Sequence, residues 1–130
     1  MGAWGAESFQ NDDAADWLAT LSTMSPGDLT QVFSLVADNS GYVEVTAASI
    51  AVAAAEVVAA LNGRPAMGAP TEILEWTRKN HFGITPELKA LSIRALDRVW
   101  ENSELKDLWS ESEELSNWTA AIQDLRSRLG

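Results

Sequence analysis

Residues 47–61 read AASIAVAAAEVVAAL, fifteen positions with a single charge, Glu56. A helix this apolar on every side has no face to offer to water and must be enclosed by its own chain. It cannot cross a bilayer, which takes about 20 apolar residues. It is too short, too alanine-rich and too interrupted by Ser49 and Glu56. Its small side chains let neighbouring helices approach closely. Thr46 is placed to cap its start and Asn62-Gly63 to end it. The rest of the chain must therefore supply amphipathic cover, and its periodicity does so.

Ahead of the central run, Asn11 is a good N-cap, with Asp12 and Asp13 in a first turn that favours negative charge. Ala14, Trp17, Leu18 and Leu21 then recur at i, i+3, i+4 and i+7, one buried face of a helix expected to stop near Thr23. Ser25, Pro26 and Asp28 open a second helix in a capping-box-like arrangement, with Leu29, Val32, Phe33 and Val36 inward. Tyr42-Val43-Glu44-Val45 is extended in character and reads as a connector with an anchoring tyrosine. After the central helix, a short helix runs from Pro70 to about Asn80. Thr85-Pro86-Glu87 starts a fifth, whose stripe of Leu88, Leu91, Ala95 and Val99 is widened by Ile93, Leu96 and Trp100. Ser103 is placed to cap Glu104–Trp109, and Ser110 or Ser112 the last helix, where Leu115, Trp118, Ile122, Leu125 and Leu129 follow the helical period. The expectation is all-α: a compact single-domain bundle of six to seven helices around a central alanine-rich helix, over residues 1–130.

Charge is unevenly distributed. Of a net −10, residues 1–63 carry −8, with eight acids and no base; residues 64–130 carry −2, with eleven acids and nine bases. Such a surface repels phosphate backbones, so nucleic acid is not an expected partner; it would attract a basic protein or divalent cations, or serve only to keep the chain soluble. There is no cysteine, which excludes disulfide and thiolate chemistry and suits a reducing compartment. The first residues lack the basic-then-apolar pattern of a secretory leader. The expected location is cytoplasmic, with no membrane association.

Few residues carry a chemical signal. Asp12-Asp13-x-x-Asp16 has the spacing that holds Mg²⁺ on a diphosphate in all-α prenyl-diphosphate enzymes, but the chain is too small for that fold and offers no clear matching second helix. Glu72-x-x-Glu75 and Glu104-x-x-Asp107 resemble the paired-helix carboxylates of small all-α nucleotide pyrophosphohydrolases, which use Mg²⁺ to activate water. Chance alone gives roughly three acidic pairs at i, i+3 in such a chain, and five occur. A solvated helix face is therefore the stronger reading, and neither a metal nor any other cofactor is expected. Glu56, on the most buried helix, needs a partner or must become neutral. An arginine such as Arg94 or Arg98 is the expected partner, the alternative being that Glu56 lies on an exposed sliver of the helix. His81, the only histidine, sits in an inter-helix turn, and one histidine without cysteine does not make a structural zinc site. GRPAMG lacks the lysine and hydroxyl ending of a phosphate loop. Trp4, between Gly2 and Gly5, either plugs a groove in its own domain or anchors a partner.

The opening M-G-A-W-G…F-x-N-D-D-A-A-D-W-L resembles the N-terminal signature of a bacterial family, domain of unknown function 4259. VAAAEVVAALNG, ALDRV, SELKDLW, Trp118 and the DLRSRL ending are also similar. Ala6 departs from the expected glycine. The resemblance implies a small bacterial cytosolic protein and carries over no activity, cofactor or catalytic residue. Trp4, Phe9, Asn11, Asp12, Asp13, Asp16 and Trp17 form the candidate N-terminal motif for recognition or for fixing the helix entry. The leading functional expectation is a non-enzymatic interaction protein, in one version an immunity-type protein that neutralises a basic toxin. A metal-dependent phosphohydrolase using Glu72, Glu75, Glu104 and Asp107, and a structural homo-oligomer joined through tryptophans, are the alternatives.

Overall fold

A computed structural model of the chain describes residues 12–38, 41–66, 69–80, 84–111, 113 and 115–130. Among these residues there are seven α-helices: α1 (Asp12–Leu18), α2 (Pro26–Ala37), α3 (Val45–Leu61), α4 (Thr71–Lys79), α5 (Pro86–Glu101), α6 (Glu104–Ser110) and α7 (Leu115–Leu129). A short 3-10 turn, Leu21–Thr23, lies between α1 and α2. No strand is present among the described residues, and the fold is an all-α bundle.

The apolar run becomes α3, and all other six helices pack against it. Every residue from Ala51 to Leu61 is buried, Glu56 included. The alanines admit their neighbours closely because they have almost no side chain to displace, and α1, α2 and α5 make the broadest contacts. The second layer forms between the covering helices, chiefly α2 on α5 and α5 on α7. The wide apolar stripe of α5 is thereby used on two sides.

Helix boundaries follow local chemistry. In front of α2 the Ser25 N–H donates to the Asp28 carboxylate at 2.8 Å, the acid's half of a capping box. Thr85 Oγ1 accepts from Leu88 N at the start of α5, and Ser103 Oγ accepts from Lys106 N at the start of α6, both at 3.0 Å. The end of α3 is a Schellman turn. Gly63 takes φ of +81°, Arg64 N donates to Ala59 O at 2.9 Å and Gly63 N to Ala60 O at 3.0 Å.

Several boundaries differ from expectation. α1 stops at Leu18 rather than near Thr23 because the Thr20 hydroxyl donates to Trp17 O at 2.7 Å and the chain turns into the 3-10 segment. α3 begins at Val45, ahead of the expected Thr46 cap, because Val45 N donates at 2.8 Å to the Glu104 carboxylate of α6. A side chain distant in sequence thus does the work of a local cap. Thr46 bonds instead to Asp13 Oδ2 at 3.3 Å. α7 begins at Leu115; Ser110 closes α6, and Ser112 lies outside the described residues.

Candidate interaction surface

Glu56 is the residue whose burial most demands an explanation, and its partner is neither Arg94 nor Arg98. Arg128, in the last turn of α7, meets it with two bonds, Nη1 to Oε1 at 2.8 Å and Nη2 to Oε2 at 3.2 Å. The correction follows from packing. Arg94, on α5, reaches Asp38 at 3.1 Å, and Arg98 donates to the carbonyl of Gly41, so both serve the end of α2 and the connector after it. The C-terminus of α7 crosses α3 where Glu56 emerges. Around the pair, Arg128 Nε bonds Asp124 at 2.9 Å, Asn62 donates to Arg128 O at 3.1 Å and Arg64 donates to Ser127 O at 2.8 Å. Burial works against charge on the Arg128 guanidinium, but Glu56 and Asp124 outweigh it and hold the group above the ordinary arginine pKa. This cluster latches the ends of α3 and α7 together.

The connector before α3 builds a second arrangement, on the surface. Val43 is buried and forms one parallel bridge with Ser103. Its N–H donates to Asn102 O at 3.1 Å, and its carbonyl accepts from Glu104 N at 2.8 Å. Since side chains alternate along an extended segment, burying Val43 turns Tyr42 outward. Tyr42 is 48% exposed, and its hydroxyl donates to Asp107 Oδ2 at 2.6 Å. That bond and the nearby Asp107, Glu104 and Glu111 charges push the phenol up to about 12. The tyrosine therefore anchors through its hydroxyl while its ring stays at the surface.

Other nominated residues are dispersed. Glu72 and Glu75 are exposed on α4, which packs on α3 and the 3-10 turn. Glu104 and Asp107 lie on α6, which packs on α3, α5 and α7, and they hold Val45 N and the Tyr42 hydroxyl. Among the described residues no three of His, Cys, Asp and Glu gather as a metal ion would require. In the N-terminal motif, Asp13 is half-buried, Asp16 is exposed and Trp17 is buried at 7%. Asp12 opens α1. Trp4, Phe9 and Asn11 lie outside the described residues, as does His81. Trp76, Trp109 and Trp118 are buried, and Trp100 stacks on Trp118 with ring centroids 6.0 Å apart.

The family model for a domain of unknown function, DUF4259, matches residues 2–121. The chain belongs to this family. No curated protein and no solved structure matches it. The match covers the latch residue Glu56 and the whole Tyr42–α6 surface of this DUF4259 chain, while Arg128 falls beyond its end. No described helix is long and apolar enough to cross a membrane. Sequence reasoning missed the exposure of Tyr42. The usable signal was the alternation of Tyr42, Val43 and Glu44, which places the one strongly apolar residue of the three on the opposite side from its neighbours.

Proposed function

We propose that this chain is a non-enzymatic interaction protein whose acidic surface engages a basic protein partner. The observation that supports this is where the arginines go. Arg94, Arg126 and Arg128 pair with Asp38, Asp97, Glu56 and Asp124. Asp16, Glu44, Glu72, Glu75, Asp107 and Glu111 meanwhile face solvent. Exposed bases such as Arg64, Arg78 and Lys79 are fewer than the exposed acids among the described residues, so the surface is net acidic and would steer and hold a cationic partner. In its specific form the partner is a basic toxin and the chain is its neutralising protein in a bacterial cytosol, the setting that the family resemblance suggests.

Nothing in the geometry favours the phosphohydrolase reading over this one, because the carboxylates it needs are dispersed and two of them hold backbone and tyrosine in place. The oligomer reading draws on tryptophans, of which Trp17, Trp76, Trp109 and Trp118 are already buried within the chain. The test is affinity purification from the native cell at low ionic strength. A basic protein should be retained and released as salt rises, since exposed charges are screened beyond about 10 Å at 0.1 M. Recovery of the bare chain alone would refute the proposal.

A further inference from the structure

We propose that Tyr42 and Leu108 are the centre of a docking surface for a lysine- or arginine-bearing protein segment with an apolar anchor, framed by Glu104, Asp107 and Glu111. The inference rests on the acidic-interaction reading above and gives it a location. Acidity alone marks no place on this protein, because carboxylates are spread over most of its surface. The apolar residues mark one. Four large apolar side chains are exposed among the described residues: Leu35, Tyr42, Leu74 and Leu108. The Tyr42 hydroxyl is bonded to Asp107 on α6, the helix that also carries Leu108.

Tyr42 is also held in place. Arg98 donates to the Gly41 carbonyl before it, Val43 is paired to the Asn102–Glu104 segment after it, and Asp107 holds its hydroxyl. An exposed aromatic ring fixed at both ends has already lost the freedom that binding would otherwise remove, and such rings are enriched at binding hot spots. The surroundings decide what it fits. At 100° per residue, Glu104 and Asp107 share one side of α6 with Leu108 beside Glu104, and Glu111 caps the helix C-terminus. All three acids lie close enough to Tyr42 to raise its phenol. Two neighbouring bases are engaged elsewhere: Lys106 Nζ sits 4.6 Å from the centre of the Trp100 ring, and half-buried Arg98 donates to the Gly41 carbonyl. A rigid apolar centre with an anionic frame complements a cationic segment that carries an apolar side chain. A second copy would set the same acids against each other.

The experiment titrates the isotope-labelled full chain with two synthetic peptides of equal charge, one of lysine and leucine in helical spacing and one of lysine with glycine. Amide shifts should centre on residues 41–45 and 104–111. The leucine-bearing peptide should bind about tenfold more tightly than the other, and Tyr42→Ala or Leu108→Ala should each remove about that tenfold. Neither substitution should change binding of the glycine peptide by more than about twofold. Tyr42→Phe, which keeps the ring, should retain most of the preference, and far-UV dichroism confirms that each variant is folded. Equal affinities for the two peptides, or shifts centred on α1 or α4, would overturn the docking surface and leave the acidic-interaction reading standing. Binding of neither peptide would overturn both. A dimer in sedimentation that Leu108→Asp dissolves would assign the surface to a second copy and overturn the proposal.

Discussion

Replacing Arg128 by methionine tests the latch between α3 and α7 directly. Methionine keeps the apolar stem and removes the charge. It leaves the Glu56 carboxylate, on a residue 6% exposed, without its arginine on the most apolar helix of the protein. Removing one member of a buried pair costs about 3–5 kcal/mol. The Arg128 side chain retains 12% exposure, which argues for the lower end, about 3 kcal/mol. Against a total of about 5–15 kcal/mol this is a large fraction of stability. At about 3–5 °C per kcal/mol for a chain of this size, the midpoint should fall by about 10–15 °C. Glu56→Met should cost less, about 1–2 kcal/mol, because Arg128 keeps Asp124 and can turn toward water. The double variant should lie within about 1 kcal/mol of the parent, since no buried charge is left behind. Urea unfolding followed by tryptophan fluorescence and far-UV dichroism measures all three. The reasoning fails if Arg128→Met costs under about 1 kcal/mol, or if the double variant is as unstable as Arg128→Met alone.

Tyr42 is the only tyrosine, so its ionisation can be followed by ultraviolet absorbance without interference. Its phenol should titrate near 12 in the folded chain, against an ordinary 10.0. The raised value means that the Asp107 bond supports the fold fully below the ordinary pKa and is lost as pH rises through about 12. Asp107→Asn should bring the midpoint back toward 10.0, and an unchanged midpoint would remove Asp107 as the cause. Gly63→Ala should cost about 1–2 kcal/mol in thermal or urea unfolding. The expense comes from the φ of +81° alone, because nothing lies within 4 Å of the added Cβ. Ser103→Ala removes the α6 cap and the 2.6 Å bond to Val99 O together, and should cost about 1–2 kcal/mol by the same measurement. Ala55→Leu, at a fully buried site on α3, should destabilise by about 1–3 kcal/mol or more through overpacking; a neutral result would mean that the helices do not close on the alanines.

The helices were legible because their signals are local. The capping role of Asp28, the Thr85 and Ser103 caps and the Asn62-Gly63 end all act within a few residues, and each appears where its pattern places it. The burial of α3 was equally plain from the lack of any polar face. What escaped depends on distant partners. The start of α3 is set by Glu104, 59 residues away, and Glu56 is answered by Arg128, 72 residues away. Arg94 and Arg98 are plausible by chemistry and differ from Arg128 only in where the bundle brings them. The Tyr42 surface was half visible. The connector and the anchoring role could be read, but the alternation that turns the ring outward spans only three residues, and the Ser103 partner that buries Val43 lies far along the chain.

The position of α3 also governs how this protein can come apart. Because every other helix lies against it, no single helix can detach without wetting part of a segment that has almost nothing polar to offer water. Partial opening should therefore be confined to the outer ends of the covering helices. The amides of residues 51–60 should exchange with solvent together and only through complete unfolding, while those near the exposed edges of α4 and α6 exchange earlier. The same enclosure gives a growing chain a timing problem: α3 is synthesised before α4, α5, α6 and α7, and until they arrive it is an apolar rod covered only by α1 and α2. In that interval the nascent chain must keep the rod folded against two partners or shielded by a chaperone.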